Sequence, residues 1–226
     1  MLIADNIIRR KLQGVFFLIG DSCAGKTTAA RILCQKYGAY RYDSDAMRSA
    51  HFALAQPEYQ PCMTRPDAAN LTAQQAVAWE EDIVREFTPM MLADLMVLAG
   101  RYPAVVCDGD IDRALLFSVA QPSRVFYLAV APDLAAQTFF NRPDHAHLLG
   151  DLYARADLTP EQKRQEEARL REIAAGGRKG NKAVIPQQVL DFGAGVYTRV
   201  CGGAVEQMMA EVERHFNIPA WLAARG

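Results

Sequence analysis

Residues 20–27 read Gly-Asp-Ser-Cys-Ala-Gly-Lys-Thr, which is the spacing G-x-x-x-x-G-K-[ST] of a phosphate-binding loop. Five consecutive apolar residues, Val15–Ile19, precede it, and a helical pattern from Gly25 to Tyr37, with Gly38 as a stop signal, follows it. This order matters because glycines let the backbone curl until its N–H groups point at phosphate oxygens, and the helix N-terminus adds partial positive charge. The segment therefore predicts a phosphate site on a strand–loop–helix unit.

The loop residues are the predicted nucleotide ligands. We expect the Lys26 ammonium to reach the β- and γ-phosphates and the Thr27 hydroxyl to help hold Mg²⁺. Cys23 occupies a variable position of the motif, where a small filler residue and a reactive thiol are the two interpretations. The predicted nucleotide-binding residues are Gly20, Asp21, Ser22, Cys23, Ala24, Gly25, Lys26, Thr27 and Thr28.

Further short apolar runs recur along the chain, and helical patterns separate them. The runs are Ala104–Cys107 and Val125–Val130, and Tyr40–Tyr42, which contains Arg41, is a further short predicted strand. Each of the three segments ends at acidic or turn-forming residues. Continuous apolar runs of this length are typical of strands buried on both faces. The alternation therefore predicts an α/β fold with a doubly wound parallel sheet.

Helix boundaries are also visible in the sequence. Thr72 and Gln75 have the spacing of a capping box, and the helix that they open runs toward Leu98. Pro89 lies inside this pattern and predicts a kink or a break. Residues 159–162, Thr-Pro-Glu-Gln, predict a second well-capped helix start.

Composition excludes several classes of protein. The 226 residues carry 25 basic and 26 acidic side chains, a balance that argues against a protein that coats nucleic acid. The five cysteines are odd in number and lack a CxxC spacing, so we expect reduced thiols. The apolar runs are far shorter than the roughly 20 residues of a membrane span, and the first residues do not have a signal-peptide pattern. We therefore expect a cytoplasmic protein without a membrane or nucleic-acid partner, and the oligomeric state is left open.

Over residues 14–45, and more loosely over 104–110 and 125–142, the chain resembles the P-loop kinases. This family of small phosphotransferases includes shikimate, gluconate and nucleoside monophosphate kinases. The resemblance implies a P-loop NTPase three-layer sandwich whose parallel sheet is ordered 2-3-1-4-5. It also implies ATP bound over the loop, with Mg²⁺ as cofactor.

The same resemblance implies a domain organisation. Residues 1–226 would form a single kinase-like domain, in which 46–100 is a helical acceptor-binding insertion and 141–182 is a lid. Basic residues are concentrated between 169 and 182, where such a lid would close over phosphate. Arg142, which follows the fourth strand and its helix, would be the first lid arginine and would stabilise charge on the transferring phosphoryl group.

Two carboxylates follow the second strand, in Asp43-Ser44-Asp45. They look like the acidic pair of family members that phosphorylate hydroxyl groups. A carboxylate can accept the proton of an attacking alcohol and orient its oxygen. We assign Asp45 to acceptor contact and Asp43 to a base or metal role. The alternative is that Asp43 and Ser44 only cap a helix over residues 46–54.

The third strand ends in Asp108-Gly109. Asp108 looks like a Walker-B-type aspartate that binds Mg²⁺ through water or accepts a hydrogen bond from Thr27, with a plain turn as the alternative. Gly109 would let the acceptor approach the backbone. Arg48, in the insertion, is a further candidate for acceptor binding.

The leading hypothesis is an ATP-dependent phosphotransferase that moves the γ-phosphate to a hydroxyl of a small metabolite, with Lys26, Asp43, Asp45 and Arg142 as catalytic residues. The alternatives are a nucleoside monophosphate kinase and a non-catalytic nucleotide-binding regulatory protein. A GTPase would need Asn-Lys-x-Asp, but Val184 stands at the acidic position. An AAA-type motor would need Asp-Glu after the third strand, where Gly109 follows Asp108. The sequence does not specify the acceptor.

Overall fold

The structure is a computed structural model, and it describes residues 5–65, 71–142, 145–174, 185–199 and 205–224. Its centre is a parallel sheet of five strands: β1 (Val15–Gly20), β2 (Tyr40–Asp43), β3 (Val105–Asp108), β4 (Val125–Val130) and β5 (Gly195–Arg199). They are ordered β2-β3-β1-β4-β5. The predicted P-loop α/β sandwich with strand order 2-3-1-4-5 is confirmed.

Helices cover both faces of the sheet, and short 3₁₀ turns lead into β1 and β4. In chain order the helices of the described residues are α1 (Asp5–Lys11), α2 (Lys26–Tyr37), α3 (Ser44–Leu54), α4 (Pro61–Thr64), α5 (Ala73–Ala99), α6 (Arg113–Val119), α7 (Pro132–Phe139), α8 (Ala146–Ala154), α9 (Pro160–Ala174), α10 (Gln187–Phe192), α11 (Val205–Phe216) and α12 (Ile218–Ala223).

The sheet separates two hydrophobic cores. Phe17 and Ile19 of β1 belong to the core that includes Met91 of α5. Phe16 and Leu18 belong to the other core, which α2 and α11 complete. Successive strand residues point to opposite faces, and here both faces are covered. The central strand β1 therefore has an uninterrupted apolar sequence, which is the pattern that predicted a parallel sheet.

Strand β5 was not identified from the sequence. It pairs with β4 from Phe126↔Gly195 to Val130↔Arg199 and is half-buried along its length. Only glycine fits at Gly195, because a Cβ there would lie 2.4 Å from the Phe126 ring and 2.6 Å from the His215 ring. Strand β5 begins with a glycine and its other residues are only half-buried. It therefore lacks the continuous apolar run by which fully buried strands are recognised. The Val-Tyr-Thr stretch was the available signal.

The predicted capping boxes are confirmed. Gln75 N donates to Thr72 Oγ1 (3.2 Å) and Thr72 N donates to Gln75 Oε1 (2.9 Å) at the start of α5. The same exchange joins Thr159 and Gln162 before α9. Of the two outcomes expected at Pro89, the break is wrong, since the 27-residue helix α5 is continuous through this position, and the kink stays a prediction. Proline removes a single N–H donor, and the buried side chains around it hold the helix on the sheet.

Among the described residues, none of the helices combines the length and the apolar character that a membrane span requires.

Candidate active site

The phosphate-binding loop connects β1 to α2, and its glycines are structurally required. Gly20 has φ +122°, and a Cβ there would lie 2.1 Å from the Leu128 carbonyl oxygen of β4. Gly25, the N-cap of α2, has φ +104°. Residues that carry a side chain rarely adopt such φ values, so both positions need glycine. Cys23 also has a positive φ, +63°, which is uncommon for a residue with a side chain.

Lys26 lies across this loop. Its Nζ donates to the carbonyl oxygens of Gly20 (2.7 Å) and Asp21 (3.0 Å), and it lies 3.4 Å from Asp110 Oδ1. The side chain is only 12% exposed. The ammonium is therefore already positioned at the loop. Charged phosphate oxygens accept stronger hydrogen bonds than neutral carbonyls and can replace these carbonyls as its partners.

The side chain of Asp21 anchors the loop to the sheet. Its carboxylate accepts hydrogen bonds from the Tyr127 hydroxyl (2.9 Å) and from Val130 N (3.0 Å), both on β4. A nucleotide contact by Asp21 would accordingly come from its backbone.

Arg41 is a site residue that sequence reasoning missed. Its Nε and Nη2 donate to the two carboxylate oxygens of Asp108, at 3.0 and 2.9 Å. The same Nη2 lies 2.8 Å from Asp43 Oδ2. Asp43 and Asp108 are direct neighbours in the β2–β3 pairing, so one guanidinium compensates two adjacent carboxylates. The spacing Arg41-x-Asp43, which puts both side chains on one face of β2, was the only local signal.

Asp43 is the N-cap of α3, as the capping interpretation predicted. Its Oδ1 accepts from Ala46 N at 3.2 Å, and its Oδ2 faces Arg41. Because both oxygens have partners, Asp43 is less available as a proton acceptor. Its base or metal role stays a prediction that this geometry does not favour.

Asp45 lies in the first turn of α3, and its side chain remains solvent-accessible. Partial loss of water raises the pKa of its carboxyl above the ordinary value, and the charges of Asp110, Asp43 and Asp108 raise it further. Lys26 opposes this effect on the pKa. A carboxylate with a raised pKa is the better general base. The structure thus favours Asp45 over Asp43 for that role.

Asp108 is 3% exposed at the end of β3. In the described part of the chain no cluster of three or more His, Cys, Asp or Glu could hold a metal ion by itself. The Thr27 hydroxyl and the Asp108 carboxylate are hard oxygen donors, which suit Mg²⁺ bound chiefly through water and phosphate. Both Asp108 oxygens already accept hydrogen bonds from Arg41, so its metal role stays a prediction. Gly109 has φ +146°, and a Cβ there would clash with Ser44. Packing therefore explains this glycine, and acceptor contact there stays a prediction.

The predicted arginines have mixed outcomes. Arg48 Nη2 lies 2.5 Å from Glu80 Oε1 in an ion pair that joins α3 to α5, and acceptor binding by Arg48 stays a prediction. Arg142 is half-buried after α7, and its carbonyl accepts from Ala146 N (2.8 Å) at the start of α8. Its role at phosphate stays a prediction. The end of the predicted lid, residues 175–182, and Pro143 and Asp144 lie outside the described residues.

Arginines of α9 and of the turn before it form ion pairs with nearby acids. Arg155 pairs with Asp157 (2.6 Å), Arg164 with Glu161 (2.5 Å) and Arg171 with Glu167 (2.7 Å). The sequence predicted such local pairing in general. These contacts are the expected behaviour of a solvated helix surface.

We expect Arg41→Gln to lower the free energy of unfolding by about 3 kcal/mol, because it leaves Asp108 buried and unpaired next to Asp43. Urea unfolding would measure the change. Arg41→Lys keeps the charge without the two parallel hydrogen bonds, so its free energy of unfolding should fall less than that of Arg41→Gln. Equal stability of Arg41→Gln and the wild type would contradict the assignment.

The strand order and the loop define a P-loop nucleotide-binding protein with the topology of the P-loop kinases, which confirms the resemblance predicted above. A family model described as an AAA domain matches residues 15–175, and the chain belongs to that AAA domain family. Within that family, this chain has Gly109 after Asp108, without the Asp-Glu pair of a motor ATPase.

No curated protein matches the sequence. Among solved structures the chain is similar to TT1252 from Thermus thermophilus, at 18% identity over 93% of this chain and 96% of that one, with a TM-score of 0.44. It is also similar to shikimate kinase from Acinetobacter baumannii in complex with shikimate, at 17% identity over 96% of this chain and 98% of that one, with a TM-score of 0.41. A third similar structure is that of a gluconokinase from Sinorhizobium meliloti 1021, at 14% identity over 92% of this chain and 94% of that one, with a TM-score of 0.37. These similarities do not indicate a substrate.

Proposed function

We propose that the protein is an ATP-dependent phosphotransferase that moves the γ-phosphate to a hydroxyl group of a small metabolite. The observation that supports this is the position of Asp45, a solvent-accessible carboxylate of raised pKa whose charge interacts with Lys26. Lys26 and Asp45 lie in the first turns of the helices that follow β1 and β2, and ligands bind in open α/β sheets beyond the carboxyl ends of such strands.

In this proposal Lys26 exchanges the carbonyls of Gly20 and Asp21 for the β- and γ-phosphate oxygens, and the N-terminus of α2 adds its dipole. Asp45 accepts the proton of the attacking hydroxyl and orients its oxygen. Arg41 keeps Asp108 and Asp43 in place. Thr27 and Asp108 would hold Mg²⁺ through water, and the bound ion would supply positive charge to the phosphates.

The acceptor side favours an alcohol over a nucleoside monophosphate. A phosphate acceptor needs unneutralised cations, but Arg41 is paired with Asp43 and Asp108, and Arg48 is paired with Glu80. The nearby side chains Asp45 and Asp110 would repel a phosphate. A neutral polyol or hydroxy compound meets no such repulsion.

The test is ADP release by the purified full chain with ATP and Mg²⁺, in the presence of sugars, polyols, hydroxy acids or nucleoside monophosphates. We expect stimulation by a hydroxyl compound and none in Lys26→Ala. Stimulation by nucleoside monophosphates alone would overturn the hydroxyl acceptor. ATP binding without transfer to any member of the panel would support the regulatory alternative.

A further inference from the structure

The carboxyl end of β5 is tied to the middle of the phosphate-binding loop. Arg199, the last residue of β5, donates a hydrogen bond from Nη1 to the carbonyl oxygen of Cys23 at 3.0 Å. Its backbone is itself held in place, because Ala131 N donates to Arg199 O at 3.0 Å and β5 pairs with β4 up to Val130. A residue 176 positions away along the chain therefore contacts the loop from a fixed point of the sheet.

The contact acts on the residue of the loop that most needs restraint. Cys23 has φ +63°, a conformation that costs a residue with a side chain about 1–2 kcal/mol. The carbonyl and the following N–H of a planar peptide point in opposite directions. Anchoring the Cys23 carbonyl on Arg199 thus turns the Ala24 N–H away from Arg199, where its acceptor is Asp21 O at 3.3 Å. A hydrogen bond this long is readily exchanged for one to a phosphate oxygen.

Arg199 also differs from the arginines described above. Arg41 is paired with Asp43 and Asp108, and the predicted lid arginines of α9 are paired with acids of their own helix. The Cys23 carbonyl that accepts from Arg199 is neutral, and across the described ranges no carboxylate forms an ion pair with this guanidinium. Its positive charge thus adds to the potential that attracts phosphate.

We propose that Arg199 is a positioning residue of the nucleotide site, which holds the loop at Cys23 in its phosphate-binding conformation. This inference rests on the proposed nucleotide site. It assigns a role in binding the phosphates to the end of β5, a segment outside the loop and the predicted lid.

Titration calorimetry on the full chain tests the inference, with ATP, ADP and inorganic tripolyphosphate as probes. We expect the dissociation constant of Arg199→Gln to rise about 10-fold for each probe, since a hydrogen bond from a charged donor is lost. Arg199→Lys, which keeps the charge but not the planar donor group, should lie between Arg199→Gln and the wild type. Weaker binding of ATP with unchanged binding of tripolyphosphate would overturn the inference, because the inference assigns the effect of Arg199 to the phosphates.

Two arginine variants provide matched controls. Arg214→Gln removes a surface pair with Glu211 and should leave all dissociation constants unchanged. Arg124→Gln removes a donor to Phe216 O and a cation–π contact with Trp221, so we expect a lower Tm and unchanged affinity. If affinity follows Tm across the Arg124 and Arg199 variants, the role of Arg199 is general stability and the inference fails.

The outcomes separate this inference from the proposed function. Nucleotide binding by the wild type with equal affinity in Arg199→Gln would overturn the inference and leave the phosphotransferase proposal standing. Absence of nucleotide and tripolyphosphate binding by the wild type would overturn both. Loss of affinity in Arg199→Gln without phosphate transfer by the wild type would support the inference and contradict only the proposed function.

Discussion

Lys26→Ala is expected to lower the rate of phosphate transfer by at least about 10³-fold, to the background of the assay. The ammonium lies on the carbonyls of Gly20 and Asp21 and is largely withdrawn from water. Preorganised charge of this kind acts most strongly on the negative charge of the transferring phosphoryl group, and alanine supplies none. ADP release with the acceptor found in the panel would measure the loss.

The control for this prediction is Lys36→Ala, on the same helix α2. Lys36 is exposed and pairs with Glu213 at 2.8 Å, away from the loop. We expect its activity to equal that of the wild type. Lys26→Ala should keep its Tm within a few degrees, because its partners are two carbonyls and an exposed carboxylate. Substantial transfer by a folded Lys26→Ala protein would refute the assignment of the loop.

Asp45→Asn is expected to lower kcat by about 10²–10⁴-fold while the KM for ATP stays nearly unchanged, since the amide keeps the shape but accepts no proton. A base acts in its ionised form, so the wild-type rate should rise with pH until Asp45 is deprotonated. The pKa of Asp45 is raised, so this rise should lie at a higher pH than for an ordinary aspartate. The rise should be absent in Asp45→Asn.

A second variant tests the cause of this pH dependence. The charge of Asp110 contributes to the raised pKa of Asp45, so Asp110→Asn should move the acidic limb of the profile to lower pH. Asp157→Asn, which removes only an exposed pair with Arg155, serves as the control and should leave the profile unchanged. An equal loss of ATP affinity and of kcat in Asp45→Asn would count against a role in the chemical step.

Much of the fold was predictable because its determinants are local. The apolar run of β1, the glycines of the loop and the helical pattern of α2 are adjacent in the chain, and each has its own physical reason. The capping boxes at Thr72 and Thr159 were equally visible, since both partners lie within three residues. Strand β5 was missed because its glycine and its half-burial hide the apolar run.

The candidate site divides in the same way. The sequence alone located the P-loop motif between β1 and α2, and it identified Asp43, Asp45 and Asp108 as acids at or next to strand ends. It could not decide between Asp43 as a cap and as a base, because that depends on the neighbours of each oxygen. Only the tertiary structure provides those neighbours: Arg41 contacts Asp108 across 67 positions, and Arg199 contacts Cys23 across 176. Contacts at such separations have no local pattern, because the sheet order brings the strands together.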